Sequence, residues 1–276
     1  MTLGDLAAQG VAALDRAGVP GAARDARALL AHAAGIAPGR LSLALRDAAA
    51  EGVASRFHGL IERRVAREPV AQIIGARAFH DHVFRVTRDV LDPRPETETL
   101  VQVALGQRFR RVLDLGTGSG AILLSLLAAR AGAQGLGTDL SAAALDVAAQ
   151  NAARLGLAER VTWRASDWFS DVAGRFDLIV SNPPYIAAQE MPGLAPELAH
   201  EPRMALTDEG DGLSAYRAIT AGAGAFLEPG GWLMVEIGHR QAEAVSAMFR
   251  DAGLGKVTVA PDLDGRDRVV CGQAPQ

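Results

Sequence analysis

Apolar positions recur at helical spacing through the first part of the chain and at a strand-then-helix rhythm in the rest. Leu3, Leu6, Val11 and Leu14 fall on one stripe behind Thr2-Leu3-Gly4-Asp5, which has the form of a capping box. Gly18-Val19-Pro20-Gly21 ends that helix. A second helix, about 22–34, carries Ala26, Leu29 and Leu30 on one face; "GIAPGR" interrupts, and a further helix spans about 54–67. Residues 1–69 therefore read as a small helical domain. Residues 70–92, "VAQIIGARAFHDHVFRVTRDVLD", turn to β-branched residues and partial alternation, which predicts a short hairpin linker.

From residue 93 to residue 276 the rhythm predicts strands at 111–115, 134–138, 161–165, 177–180 and 232–237, with helices at 121–131, 142–155, 213–226 and 240–252. Two last strands, 256–260 and 268–271, flank the turn "DLDGRD". Such alternation implies an α/β domain with a doubly wound, mostly parallel sheet, closed by an antiparallel C-terminal hairpin.

Composition narrows the setting more than the function. Of 276 residues 49% are apolar, enough for a sizeable core, and the single cysteine, Cys271, excludes an internal disulfide and fits a reducing compartment. The start "MTLGDLAAQG" shows no basic-plus-apolar leader, and the most apolar run, 121–129, is about half the ~20 residues a membrane helix needs. A cytoplasmic protein with no membrane association is expected. The formal charge is −4; residues 1–85 hold 11 Arg against 8 Asp and Glu, the remainder 17 Arg and Lys against 24 acids. That asymmetry is too mild for a nucleic-acid footprint, so no direct nucleic-acid contact is expected.

Candidate chemistry begins at "VLDLGTGSGA", 112–121, a strand running into a glycine turn and a helix. Gly116, Gly118 and Gly120 free the backbone for positive φ or close approach to a ligand. The next strand ends in "GTDLS", which sets Asp139 at the tip, 19 residues beyond Gly120, where a carboxylate can accept both hydroxyls of a ribose. Two classes fit: a nicotinamide fingerprint through Gly116-x-Gly118-x-x-Ala121, and the tighter Gly-x-Gly-x-Gly of an S-adenosylmethionine site, preceded by Asp114. The loop alone leaves both open.

"SNPPY", 181–185, closes the strand at 177–180 and discriminates. An amide or exocyclic amine is a weak nucleophile because its lone pair is delocalised, and full loss of conjugation costs on the order of 20 kcal/mol. Acceptance of both its N–H bonds by the Asn182 side-chain carbonyl and the Pro183 backbone carbonyl would turn the lone pair toward an electrophilic methyl. Each such bond is worth ~1–3 kcal/mol, whereas in-line positioning contributes ~7–11 kcal/mol, so positioning dominates. Pro183 and Pro184 stiffen the corner, and Tyr185 offers a flat face for a planar amide or base. Amino-group methylation follows; a bare Pro-Pro turn is the competing structural explanation.

The stretches "REPVAQIIG", "PRPETETLV", "DLGTGSGAI", "SDWF", "SNPPYI", "EPRMAL" and "DGLSAYR" together resemble the bacterial peptide-chain release factor glutamine methyltransferases, the PrmC/HemK family, over nearly the whole chain. The resemblance implies a class I S-adenosylmethionine-dependent methyltransferase fold with an N-terminal helical substrate-recognition domain. It implies methyl transfer to the glutamine side-chain nitrogen in the Gly-Gly-Gln motif of class-I release factors, by a monomer without metal. It further implies that Gly116, Thr117, Gly118, Ser119 and Gly120 pass along the methionine of the cofactor, that Asp139 holds the ribose, and that Asp167 and Trp168 bound the adenine. Asn182, Pro183, Pro184 and Tyr185 would hold the target glutamine, Asn182 also bordering the cofactor. A glutamine methyltransferase of a ribosomal protein, or a nucleic-acid amino methyltransferase, shares part of this pattern.

Other features carry less. His80-x-His82 puts two imidazoles on one strand face without a third ligand at metal spacing. Arg63, Arg64 and Arg67 read as a solvated basic helix face. Glu201 and Arg203 lie in the Pro- and Gly-rich insert 187–212, either touching substrate or pairing with each other. Asp114 orients the glycine loop or touches the cofactor, Glu236 reads as structural, and Asp92 departs from the apolar residue the family resemblance calls for.

Overall fold

A computed structural model describes residues 1–276, the side chain of Pro38 excepted. The chain divides into two units, one of Met1–Ala76 with Ala195–His200, the other of Arg77–Leu194 with Glu201–Gln276. In the first unit, helices α1 (Leu3–Arg16), α2 (Ala22–Ala34), α3 (Leu41–Ala44), α4 (Val53–Val65) and α5 (Val70–Ile74) surround a core of Leu6, Leu14, Leu29, Leu30, Phe57 and Ile61. The capping box forms: the Thr2 hydroxyl accepts the Asp5 N–H at 3.1 Å, and the Asp5 carboxylate accepts the Thr2 N–H at 2.8 Å.

Two sequence expectations change here. The hairpin does not begin at residue 70, because Pro69 starts a short helix, α5, which Gly75 ends in the left-handed region at φ 76°. Arg64 does not face solvent. It shares a face with Phe57 and Ile61, is 5% exposed, and meets the carboxylates of Asp25 and Glu197 at 2.9 Å each. Arg67 reaches Glu197 at 3.3 Å and the Ala17 and Gly18 carbonyls, while Arg63 pairs with Glu68. A guanidinium forced inward by helical spacing requires such partners, since an unpaired buried charge is costly.

The hairpin β1 (Ala76–Phe79) and β2 (His82–Arg85) follows, all but its first residue within the second unit. Helix α6 (Glu98–Leu105), which hydrophobic spacing did not single out, follows a turn at Pro95–Thr97. Then come β3 (Arg111–Leu115), α7 (Ala121–Ala129), β4 (Gln134–Asp139), α8 (Ala142–Arg154), β5 (Val161–Ala165), β6 (Phe176–Ser181), α9 (Ser214–Phe226), β7 (Leu227–Glu236), α10 (Ala242–Asp251), β8 (Gly255–Pro261) and β9 (Asp267–Gln273). The sheet runs β5-β4-β3-β6-β7-β9-β8, with β3 to β7 parallel and β9 antiparallel to both neighbours.

Alternating side chains of the central strands fill two cores. Val112, Leu178, Val180, Met234 and Cys271 pack with α6 and α7 on one face. Leu113, Leu115, Ile179, Leu233, Val235 and Val270 pack with α9 and α10 on the other. Burial on both faces explains why these strands read as continuous apolar runs. The strand order reverses between β3 and β6, and the crevice beyond their carboxyl ends is where a doubly wound sheet binds ligands.

Candidate functional site

At that crevice lies a cavity of about 630 Å³. Its wall brings together Gly116, Thr117, Gly118 and Ser119 after β3, Asp139 after β4, Asp167 and Trp168 after β5, and Asn182 and Pro184 after β6. These residues are scattered over about seventy positions, and parallel register alone gathers them. Gly116 and Gly118 have φ of 67° and 55°, and a Cβ at either would meet nothing within 4 Å. They therefore leave an open floor of bare backbone on which an elongated ligand can lie.

Gly120 behaves differently. It caps α7 at φ 78°, and a Cβ there would press Leu124 and Trp163 at 3.1 Å and Ala148 at 3.2 Å. It does not line the cavity, and its missing side chain makes room for these neighbours. Pro183 is buried and Tyr185 packs into the core beside α9 and β7; neither lines this cavity. The asparagine–proline corner thus shows Asn182 and Pro184 to the cavity and turns its other two members inward.

Carboxylates shape one side of the cavity. Asp114 is fully buried, and its Oδ2 accepts the Thr117 hydroxyl at 2.6 Å while Oδ1 has no partner. Burial pushes its pKa up to about 7, against the pull of the Thr117 hydroxyl. Asp114 thereby ties down the loop instead of touching the ligand space. Asp139 accepts the Gly118 N–H and the Ser141 N–H at 2.9 Å each, one on each oxygen. Each oxygen keeps a free lone pair, so the carboxylate at the cavity wall has capacity for two hydroxyls. Burial raises its pKa, with those N–H groups opposing.

On the other side, the Asn182 amide nitrogen donates to the Thr97 hydroxyl at 3.2 Å, which leaves its carbonyl oxygen as the free acceptor. Arg94, also on the wall, sends one nitrogen to both oxygens of Glu201 at 2.7 Å. Glu201 is 6% exposed and does not reach the cavity, and Arg203 pairs with Glu209 instead of with Glu201. Asp92 lies in the same cluster, 4% exposed, 3.5 Å from Arg77 and 3.9 Å from Arg94. Two arginines absorb the unexpected acid. Asp208, on the cavity wall, accepts the N–H groups of Gly210, Gly212 and Ser214 and the Ser214 hydroxyl, which hold its pKa down at about 2.

Thr97, Arg94 and Asp208 were not singled out by spacing. Their signal was present in "PRPET" and "TDEGDGLS", where a Pro-acid helix start and a dense Asp-Gly turn call for ordered loops. His80 and His82 flank the β1–β2 turn, and among the described residues no group of His, Cys, Asp or Glu is arranged to hold a metal ion. No helix is long and apolar enough to cross a membrane.

Comparison with known proteins places this geometry in a family. Residues 86–214 match the family described as "Methyltransferase small domain", and residues 5–75 match "PrmC N-terminal domain". A protein of Cereibacter sphaeroides named release factor glutamine methyltransferase is 55% identical over 276 residues, covering 100% of this chain and 99% of that one. A protein of the same name from Rhodospirillum rubrum is 44% identical, covering 97% of this chain and 84% of its own. Among solved structures, a methyltransferase from Pyrococcus furiosus shares the fold with a TM-score of 0.56 at 16% identity, covering 80% of this chain and 100% of that one. With near-complete coverage at that identity, the chain belongs to the release factor glutamine methyltransferase family.

Proposed function

We propose that this protein transfers the methyl group of S-adenosylmethionine to the side-chain nitrogen of the glutamine in the Gly-Gly-Gln motif of class-I peptide chain release factors. The observation that carries the reading is the Asn182 carbonyl, freed for the cavity because Thr97 takes its amide N–H, on the same wall as Gly116–Ser119 and Asp139.

The cavity residues fit the cofactor. The bare backbone of Gly116–Ser119 suits the methionine part, with Thr117 held by Asp114. Asp139 has two free lone pairs for the ribose, and Trp168 and Asp167 supply a ring face and an acceptor for the adenine and its amino group. When bound, S-adenosylmethionine supplies a sulfonium methyl that accepts a nitrogen lone pair. The chain's own contribution is orientation. The Asn182 carbonyl, on the cavity wall, accepts an N–H of the target amide, which helps draw the lone pair out of the amide plane. Tyr185, packed against the core, backs the corner so that its geometry does not yield. Freezing the approach, at ~7–11 kcal/mol, is worth more than polarisation at ~1–3 kcal/mol per bond.

In this reading the enzyme works as a cytoplasmic monomer on a protein substrate, without direct nucleic-acid contact. The test is transfer of a labelled methyl group into purified class-I release factor. Label is expected in the wild-type factor and absent when the glutamine of its Gly-Gly-Gln motif is changed to alanine. Label in both, or only in ribosomal protein or nucleic acid, overturns the substrate assignment. Light scattering of the purified protein tests the monomer.

A further inference from the structure

The geometry points to Gln241 as a positioning residue that clamps the far end of the asparagine–proline corner and so fixes the direction of the Asn182 carbonyl. Gln241 stands just before α10, 56 positions beyond Tyr185, and lines none of the cavity. Its side-chain nitrogen donates to the Tyr185 carbonyl at 2.9 Å and to the Gly212 carbonyl at 3.1 Å. Its Oε1 accepts the Gly238 N–H at 2.9 Å and lies 3.4 Å from the Tyr216 hydroxyl, which itself donates to the Glu236 carbonyl at 2.9 Å. These partners allow the amide one way round, because two carbonyls demand the NH2 and an N–H demands the oxygen. A single carboxamide thus joins the end of the corner, the end of the insert, the turn after β7 and α9.

A bond at Tyr185 reaches Asn182 because the chain between them is stiff. The rings of Pro183 and Pro184 fix φ at those two residues, and each proline holds the residue before it extended. Neither ring residue has an N–H, so no backbone donor can steady the middle of the segment. Its near end is fixed by the pairing of Ser181 in β6 with β3 and β7, and by the Asn182 amide on the Thr97 hydroxyl at 3.2 Å. Its far end is fixed by Gln241 on the Tyr185 carbonyl. A stiff segment held at one end pivots there; held at both, it keeps one direction.

The insert is packed onto the same point. Gly212 sits at φ 75°, where a Cβ would collide with the Tyr185 carbonyl oxygen. The Ile186 N–H donates to the Leu206 carbonyl at 3.0 Å, and the Ala188 N–H to the Gly210 carbonyl at 2.9 Å. Pro202, Met204 and Asp208 of that insert line the cavity, as Asn182 does. From outside the cavity, Gln241 sets the spacing between two parts of its wall.

This inference rests on the proposed role of Asn182, and the experiment separates the two. Turnover, KM for release factor and affinity for S-adenosylmethionine are measured for wild type, Gln241→Met, Gln241→Glu, Asn182→Ala and the Asn182→Ala/Gln241→Met pair, each below its own unfolding temperature. Gln241→Met keeps the length and loses every bond, whereas Gln241→Glu keeps the shape and the acceptor and loses the two donors. Both should lower kcat ~10–100-fold, the scale of a small misplacement of a reacting group, with KM and cofactor affinity changed less than about threefold. The pair should turn over no more than about threefold slower than Asn182→Ala, because Gln241 acts on the rate through that corner. Wild-type kcat in Gln241→Glu would mean that Gln241 fills space only, and overturns the assignment. Losses that multiply in the pair, or that fall equally on cofactor affinity, overturn it too. Absence of methyl transfer by the wild type overturns the functional reading alone. The clamp is then decided by amide hydrogen exchange. The Ile186 and Ala188 amides should exchange at least ~10-fold faster in Gln241→Met than in wild type, while Gly118, held by Asp139, keeps its rate. Unchanged exchange at Ile186 and Ala188, or a rise at Gly118 as large as theirs, sinks the clamp.

Discussion

The two walls of the cavity are built from different distances along the chain. On the wall proposed to hold the cofactor, Asp114 holds Thr117 three residues away, Asp139 holds Ser141 two residues away and Gly118 at 21. On the acceptor wall, Asn182 leans on Thr97 at a separation of 85 and Arg94 grips Glu201 at 107. Local bonds make the first wall a self-contained loop that forms once β3 and β4 pair. The second exists only when a turn, a strand end and an insert meet, so its geometry depends on the whole unit. Binding of a cofactor common to many enzymes can reside in a portable loop. Selection of one amide among many needs a corner set by the fold.

The largest expected effect falls on the acceptor wall. Asn182→Ala removes an interaction made with the reacting amide and should lower kcat at least ~100-fold while cofactor affinity stays within a few-fold. Steady-state kinetics with calorimetry of cofactor binding checks this; parallel losses in both would place Asn182 on the cofactor wall instead. Asp139→Ala should do the reverse. Loss of hydrogen bonds to a charged acceptor weakens cofactor binding ~10–100-fold with a smaller change in kcat at saturation. Unchanged affinity would remove Asp139 from the ribose.

A smaller effect probes the long-range support. Arg94→Met leaves Glu201 buried without its partner, and Glu201 already carries a pKa raised by burial. The Arg94 side chain is 34% exposed, so the loss is expected nearer 2 kcal/mol than the ~3–5 kcal/mol of a fully buried broken pair. Denaturant unfolding measures it. The Arg94→Met/Glu201→Met pair should recover much of the loss, because removing both charges removes the stranded one. An equal loss in the double variant would show that packing, not charge, holds the insert.

The contrast between the walls also explains what was legible in the sequence. The elements of the sheet were readable because each is a local pattern: Arg111–Leu115, Val161–Ala165 and α2 at Ala22–Ala34 sit where periodicity put them. Gly116, Gly118, Asp139, Trp168 and Asn182 could be gathered by topology alone, since parallel strands carry their carboxyl ends to one edge. Arg64 was misplaced because charge was weighed above spacing; its helical register with Phe57 and Ile61 already pointed inward. The Arg94–Glu201 and Thr97–Asn182 bonds were out of reach, because nothing local in either partner names the other. Gly120 shows a subtler limit. Its positive φ was foreseeable, whereas Trp163 and Ala148 against its missing side chain were not.

The smallest effect is a slope with pH, and it tests the cofactor wall through its most buried member. Asp114 and Glu236 each have pKa raised by burial to about 7, and Asp139, Asp92 and Glu201 are shifted upward as well. Between the ordinary carboxylate range and pH 7 the folded protein keeps protons on these groups that the unfolded chain has released. The native state then binds more protons, so stability is greatest on the acid side of that window and falls as pH rises through it, by at most ~1.4 kcal/mol per pH unit for each group. Asp208, held at about 2, and Glu197 and Glu68, held below their usual value, act in the opposite sense but only under about pH 4.5. Unfolding free energies of the cofactor-free protein from pH 5 to 8 should therefore decline. Asp114→Asn, which keeps an acceptor for Thr117 and removes the charge, should flatten part of that decline and gain on wild type as pH rises. A parallel pair of curves would mean that Asp114 is ionised throughout, and that water or a backbone donor reaches the oxygen now seen without a partner.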